Sequence, residues 1–262
     1  MTSTILFFIF GLLLLIAGAE LLVRGASRLA ASFGVSPLII GLTIVAIGTA
    51  SPEIAVSLQA AVNGQADLTL GNVLGSNIFN ILFILGVTSI LAPIVIAKQL
   101  IRKDAPILLG ISLLTFFFAM DGNISKIDGI ILLIGLFTYF IFVIRESRKE
   151  NKAIQNEYAQ EYAEKEKRTS KNVLLNILFI IIGLGLLVLG SNWLVQSAVQ
   201  IAQALGVSEL VIGLTIVAIR TSLPEVATSV IAALKKESDI AVGNAIGSNI
   251  FNLLGVLGIG AF

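Results

Sequence analysis

The chain contains two copies of a short polar motif within otherwise apolar sequence, AIGTASPE at 46–53 and AIRTSLPE at 218–225. Each copy ends in a glutamate, Glu53 or Glu225, which hydroxyl side chains precede. A carboxylate at membrane depth costs about 3 kcal/mol on insertion scales, so such a residue is functional by default and has a partner. Two carboxylates supply two negative charges, which balance one Ca²⁺ or two monovalent cations. The two motifs therefore predict a cation site.

Neutral oxygen atoms accompany the glutamates in both copies, and a hard cation such as Ca²⁺ takes its ligands from such oxygens. The chain has no His and no Cys, which excludes thiolate sites and the commonest transition-metal ligand. Buried Asn and Ser also hydrogen-bond between helices, so a structural role stays open for each of them. The predicted ion ligands are Glu53, Glu225, Thr49, Thr221, Ser222, Ser76, Ser248, Asn80, Asn252 and the carbonyls of Ala46 and Ala218.

The elements that must position these residues are apolar helices. Hydrophobic residues make up 56% of the chain and charged residues 13%, whereas soluble domains carry about 25% charged residues. A spanning helix needs about 20 apolar residues. We assign spans at 4–23, 37–62, 68–96, 105–120, 127–144, 173–196, 208–234 and 240–262. This predicts an all-α membrane protein, and the net charge of +1 indicates no nucleic-acid partner.

The distribution of basic residues predicts the orientation in the bilayer. If the N-terminus is placed outside, all of the 17 Lys and Arg residues except Lys126 and Arg220 fall on the inside. Lys126 is then in an outer loop, and Arg220 is within the membrane. We therefore expect a multi-pass protein of the plasma (inner) membrane, with the polar linker 146–172 in the cytoplasm.

The chain repeats itself after a shift of 172 residues, with 26 identities over the 45 positions of 36–80. The first repeat (1–145) holds five predicted spans, and this odd number inverts the second repeat (173–262) in the membrane. The second repeat holds three spans and is incomplete, because nothing matches 91–145. An inverted-repeat helical bundle of about eight spans is therefore expected. Inverted repeats are typical of secondary transporters, whose ion sites lie at the repeat interface on interrupted helices.

Two prolines, Pro52 and Pro224, predict where these helices are interrupted. Proline lacks an N–H and breaks the helical bond to the residue four positions earlier. We expect carbonyls near Ala46 and Ala218 to be freed as a result. Within a membrane a freed carbonyl needs a partner, and a bound cation can be that partner.

The paired segments GLTIVAIGTASPE…GNVLGSNIFN and GLTIVAIRTSLPE…GNAIGSNIFN resemble the two α-repeats of the sodium/calcium exchanger family, prokaryotic type, within the calcium/cation antiporter superfamily. The resemblance covers the whole chain. It implies a transporter and not an enzyme, with ten spans in two inverted halves and Na⁺ exchanged for Ca²⁺ by alternating access. It also implies that the ions are bound at Glu53 and Glu225 and at the motif residues given above, with no cofactor.

Three features depart from the family pattern. Ala50 stands where the family usually has Ser, with Ser51 one place later, so one ligating hydroxyl is lost or displaced. Arg220 stands where the family has Gly, and the second repeat is incomplete. We consider three outcomes for Arg220: an ion pair with a site glutamate, extension to water along the ion pathway, or failure to fold. Each predicts weakened exchange.

Three alternatives remain open at this point. An H⁺/Ca²⁺ antiporter would use protons in place of Na⁺, and the two are distinguished by the gradient that Ca²⁺ flux needs. A non-transporting membrane protein, either a degenerate copy or a subunit that needs a partner, would fit Arg220 and the incomplete repeat. An intramembrane acid protease built on two carboxylates is disfavoured by the Pro-Glu motifs and their oxygen-rich surroundings.

Overall fold

The computed structural model describes residues 2–63, 65–94, 96–147 and 170–262, and within these ranges every regular element is a helix. The first repeat forms α1 (Thr2–Phe33), α2 (Pro37–Thr49), α3 (Ser51–Val62), α4 (Asp67–Leu91), α5 (Ala105–Ala119) and α6 (Lys126–Ser147). The second forms α7 (Ser170–Ala204), α8 (Glu209–Ile212), α9 (Leu223–Leu234) and α10 (Ser238–Gly260). The all-helical fold class is as predicted. Most of the predicted linker 146–172 lies outside the described residues.

Five of the described helices, α1, α4, α6, α7 and α10, are long and apolar enough to cross a membrane. A sixth span is obtained if α2 and α3, which are bent by 46° at their junction, count as one. The other two predicted spans are also helical, but α5 has only 15 residues and the segment 208–234 is divided between α8 and α9. The eight predicted spans therefore correspond to eight apolar segments, and not all of these segments form long helices.

Both interrupted helices break just before their Pro-Glu sequence. The junction residues Ala50 and Ser222 leave the helical region, with ψ of 5° and 1°, and each following helix carries a proline in its first turn. Since Pro52 cannot donate to the carbonyl of Gly48, the hydroxyl of Ser51 donates to it instead, at 2.7 Å. The helical geometry thus explains why the chain bends here without leaving this carbonyl unpaired.

This bonding corrects the expectation for the freed carbonyls. The carbonyl of Ala46 is not freed, because it accepts the N–H of Ala50 at 3.0 Å. The carbonyl four positions before a proline is the one that loses its donor, which here means Gly48 and Arg220 rather than Ala46 and Ala218. Ala218 lies instead in the exposed turn between α8 and α9.

The two long helices α1 and α7 pack against each other through glycines. A Cβ on Gly18 would lie 2.8 Å from the carbonyl oxygen of Gly183, and a Cβ on Gly11 would lie 2.9 Å from that of Gly190. Only glycine allows backbones to approach this closely, which is the usual way in which helices associate inside a membrane. The pair α1–α7 is therefore one tightly packed layer beside the interrupted helices.

Helix α10 is the centre of the bundle, and its most apolar stretch is completely buried. It packs along α2, where Gly243 and Gly247 meet the backbone of Leu38 and Leu42. Short π-helical turns interrupt α4 and α10 at equivalent places, Asn80–Ile84 and Asn252–Val256. Such turns are frequent at functional sites. Here each begins at a predicted ligand, Asn80 or Asn252.

Candidate ion site

The two glutamates lie at the centre of the bundle, although their motifs are 172 residues apart in sequence. Glu53 is 1% exposed and Glu225 is 0% exposed. Each follows the proline at the start of its helix, α3 or α9, and faces the other repeat. Their carboxylates are close enough to repel each other electrostatically. A buried pair of like charges is stable only with compensating groups between them.

Glu53 has two hydrogen-bond donors, and they come from different repeats. Ser76 on α4 and Ser222 at the start of α9 each place a hydroxyl 3.3 Å from its Oε1, and the two hydroxyls are 3.2 Å apart. The other carboxylate oxygen, Oε2, is buried and accepts no hydrogen bond. Half of this carboxylate is thus fixed by the protein, and half is available to a ligand.

Glu225 is in a different situation, because neither of its carboxylate oxygens accepts a hydrogen bond. The position equivalent to Ser222 is Ala50, which is fully buried and has no hydroxyl. The hydroxyl of the neighbouring Ser51 bonds the backbone of its own helix and is exposed. The hydroxyl of Ser51 is therefore directed away from Glu225, and the Thr49 hydroxyl beside this carboxylate donates to Asn244.

Asparagines join the two repeats around the glutamates in a nearly symmetric network. Asn77 donates to the backbone carbonyl of Asn249 at 3.1 Å, and Asn249 donates to that of Asn77 at 3.2 Å. Asn80 donates to the side-chain oxygen of Asn249 at 2.9 Å, and Asn252 to that of Asn77 at 3.1 Å. These bonds turn the amide nitrogens of Asn80 and Asn252 to the protein and leave their oxygens free.

Five buried oxygen atoms of the four central residues consequently have no hydrogen-bond partner. They are Oε2 of Glu53, Oε1 and Oε2 of Glu225, and Oδ1 of Asn80 and Asn252. A buried polar atom without a partner costs about 1–3 kcal/mol, and more when it is charged. All five are acceptors, and the hydroxyls of Thr221 and Thr49 that lie beside the glutamates donate to Asn72 and Asn244 instead. Such a set is suited to a cation, and both repeats contribute to it.

The remaining predicted ligands lie nearby with their hydroxyls already engaged. Thr49 donates to Asn244 at 3.0 Å, and Thr221 donates to Asn72 at 3.4 Å. The hydroxyl of Ser248 lies 3.4 Å from the carbonyl oxygen of Ala46, so this carbonyl of the first repeat contacts the second repeat. A hydroxyl that donates to a protein oxygen keeps its lone pairs for an ion.

Several polar residues of this region were not among the predicted ligands. Asn72 bonds Ser57 at 3.1 Å, and Asn244 bonds Ser229 at 3.0 Å, so each fixes α4 or α10 to the glutamate-bearing helix beside it. Thr228, one turn after Glu225, has a buried hydroxyl without a partner. The repeat alignment contains the signal for Ser57 and Ser229, because both copies have serine there. It contains none for Thr228, whose counterpart is Val56.

Arg220 does not contact either glutamate. Its guanidinium bonds the side-chain oxygen of Asn192 on α7, at 2.7 Å from Nη2 and 3.3 Å from Nε. The ion pair with a site glutamate, which was one of three expected outcomes, is therefore absent from this structure.

The two repeats differ in how their interrupted helices are packed. On one side, α2 is buried against α10, and a Cβ on Gly247 would lie 2.7 Å from the backbone of Leu42. On the equivalent side, no atom of the described residues lies within 4 Å of a Cβ on Gly71 or Gly75 of α4. The π-helical turn after α8, Gly213–Val217, is correspondingly exposed at Gly213 and Thr215. The bundle is closed at α2 and open at α8.

Comparisons with known proteins indicate the family of this chain. The family model described as sodium/calcium exchanger protein matches residues 3–145 and 175–262. A putative antiporter, CaxA of Alkalimonas amylolytica, is 43% identical over 257 residues, which are 97% of this chain and 79% of that protein. The sodium/calcium exchanger MaX1 of Methanosarcina acetivorans is 30% identical over 292 residues, covering 98% of this chain and 82% of its own.

The fold also has a solved counterpart. The structure of the sodium-calcium exchanger NCX_Mj soaked with 2.5 mM Na⁺ and 0.1 mM Ca²⁺ superposes with a TM-score of 0.84 at 34% identity, over 99% of this chain and 81% of that one. These relatives are exchangers and antiporters, so the predicted class of transporter, as opposed to enzyme, is confirmed. The chain belongs to the sodium/calcium exchanger family.

Proposed function

We propose that this protein exchanges Ca²⁺ for Na⁺ across the plasma membrane, and that both ions bind between Glu53 and Glu225. The observation that carries the proposal is the group of five buried oxygens without partners, all acceptors, contributed by both repeats. An ion bound there would supply the positive charge that the two carboxylates need in a medium of low dielectric. The remaining predicted ligands are proposed to complete the shell through hydroxyl and carbonyl oxygens.

The charge of the site supports exchange rather than simple binding. Two carboxylates are neutralised by one Ca²⁺ or by two Na⁺, and the amides of Asn80 and Asn252 add oxygens without adding charge. Either load leaves the centre of the bundle neutral, whereas an empty site leaves two unpaired charges. Because the loaded forms avoid that cost, a conformational change with ions bound is favoured over one without them. This difference couples the two fluxes.

The unequal packing of the two repeats suggests how the site is reached. The side at α2 is closed by α10, and the side at α8 is open along Gly71 and Gly75 of α4. With the N-terminus outside, as the basic residues predict, the open side faces the exterior. We infer that transport closes α8 onto α4 and separates α2 from α10, so that the site opens to the cytoplasm.

The decisive experiment uses the purified protein in lipid vesicles and follows the uptake of ⁴⁵Ca²⁺. An outward Na⁺ gradient and an outward H⁺ gradient are applied separately, each with the membrane potential clamped. The control is the double variant Glu53→Gln/Glu225→Gln, which keeps the side-chain volumes but removes the charges. We expect uptake with the Na⁺ gradient and none in the control.

The alternatives correspond to other results of this experiment. Uptake that needs the H⁺ gradient and ignores Na⁺ would assign the protein as an H⁺/Ca²⁺ antiporter with the same site. Absence of uptake under both gradients, in vesicles where the protein is folded, would favour a non-transporting protein. We infer that Arg220 does not impose that outcome, since its guanidinium is bonded to Asn192 and not to a glutamate.

A further inference from the structure

The guanidinium of Arg220 is held by one residue of the long helix α7. Both Nη2 and Nε bond the same oxygen of Asn192, at 2.7 and 3.3 Å. The turn after α8 lies along α7, so this bond joins two elements that are already in contact. Arginine remains charged under all ordinary conditions. The position of the Arg220 side chain therefore depends on which acceptor groups attract its positive charge.

The competing groups are the site glutamates, of which Glu225 lies five residues after Arg220 in the chain. Arg220 is followed directly by Thr221 and Ser222, and the hydroxyl of Ser222 is 3.3 Å from Oε1 of Glu53. Three carboxylate oxygens of Glu53 and Glu225 have no protein partner. In a buried site, attraction between a cation and such oxygens is much stronger than in water. A guanidinium that turned inward would occupy the place of the transported ion.

We propose that Asn192 is a positioning residue that retains the guanidinium of Arg220 outside the ion site, so that Glu53 and Glu225 stay available to cations. This inference rests on the proposed function. It explains how a chain of this family carries arginine in a motif position that its own first repeat fills with glycine. The arginine is compatible with the site because a second residue, far away in sequence, supplies an acceptor for it.

The internal repeat supports this role for position 192. Under the shift of 172 residues, Asn192 is the counterpart of Glu20 on α1. Glu20 forms an ion pair with Lys235 at the end of α9. The two long helices thus use equivalent positions to hold a basic residue of the second repeat.

The packing explains why only the second repeat carries an arginine. At the equivalent position in the first repeat, a Cβ on Gly48 would lie 2.7 Å from the side chain of Leu184 on α7. A side chain at this position would have to displace Leu184. Arg220 is exposed beside the open side of α8, where its side chain can extend along α7 to Asn192.

The test compares four proteins by isothermal titration with Ca²⁺ in detergent micelles: the unmodified chain, Asn192→Leu, Arg220→Gly and the double variant Asn192→Leu/Arg220→Gly. We expect Asn192→Leu to weaken Ca²⁺ binding at least about tenfold, and the double variant to return to within about twofold of the unmodified chain. Asn192→Gln, which keeps an amide acceptor, should bind nearly normally. Gln200→Leu on the same helix is the matched control, since Gln200 pairs with Thr4 rather than with Arg220.

Each result decides the inference. Unchanged binding in Asn192→Leu overturns it, and so does a loss that Arg220→Gly does not restore, because the loss is then structural. Binding in Arg220→Gly but not in the unmodified chain also overturns it, since Arg220 then occupies the site despite Asn192. If no protein of the set binds Ca²⁺, the proposed function fails instead. The thermal unfolding of the same four proteins, analysed as a double-mutant cycle, then shows independently whether Arg220 and Asn192 are coupled.

Discussion

Ser222 of the second repeat donates a hydrogen bond to Glu53 of the first, across 3.3 Å, whereas the equivalent Ala50 offers nothing to Glu225. The two halves of the site are therefore unequal, although their backbones are arranged alike. The difference arises at one pair of equivalent positions, where the second repeat has Ser222 and the first has Ala50. The consequences of that difference can be measured separately on each glutamate.

Removing the hydroxyl of Ser222 should weaken cation binding. Ser222→Ala removes a predicted ligand oxygen and the hydroxyl that positions Glu53, so we expect Ca²⁺ affinity to fall about tenfold or more. Ala50→Ser should have the opposite effect, since it adds a hydroxyl oxygen, at the position equivalent to Ser222, that can serve as an ion ligand. Calcium titration measures both. Equal affinities in the two variants would contradict the assignment of these positions to the site.

The two glutamates should differ in their effect on the ion-free protein. Glu225→Gln replaces a buried carboxylate that has no donor, so we expect the ion-free protein to melt at a higher temperature. Glu53→Gln should raise the melting temperature less, because Ser76 and Ser222 already stabilise that carboxylate. Both variants should lose the stabilisation that Ca²⁺ gives by binding the folded state. Differential scanning fluorimetry with and without Ca²⁺ provides the readout, and a Glu225→Gln protein still stabilised by Ca²⁺ would argue against the site.

The asparagine pair between the repeats should be important for stability. Asn77→Ala removes the donor to Asn249 and the acceptor for Asn252, leaving buried amide groups without partners. We expect a loss of about 1–3 kcal/mol in the free energy of unfolding. The matched control is Asn123→Ala, because the side chain of Asn123 is exposed in the turn before α6. If the two variants unfold alike in urea, the network does not hold the repeats together.

Equivalent glycines of the two repeats should respond differently to alanine. In Gly247→Ala the new Cβ would lie 2.7 Å from the backbone of Leu42, so helices α10 and α2 must separate and the melting temperature should fall. The Cβ of Gly75→Ala would have no described residue within 4 Å, so this variant should fold normally. If transport closes α8 onto α4, the same Gly75→Ala should bind Ca²⁺ normally but exchange it slowly. Normal exchange in this variant would exclude a close approach of α8 to Gly75.

The sequence alone determined the class of the protein and the chemistry of its centre. Spans of apolar residues fix a membrane-embedded helical bundle, because backbone groups in lipid can be satisfied only within helices when no strands pair. The repeat predicted that the two halves are inverted relative to each other, and the absence of His and Cys predicted that a bound cation has oxygen ligands. These properties depend on local composition and spacing, and both are fully present in the primary structure.

Only the tertiary structure decided which oxygens remain free. The breaks at Pro52 and Pro224 and the bond from Ser51 to the Gly48 carbonyl are local, but the orientation of the Asn80 and Asn252 side chains depends on partners in the other repeat. The position of the Arg220 side chain also depends on a long-range contact. Its charge is readable from the sequence, but its partner is set by the packing of α8 on α7, 28 residues away in the chain.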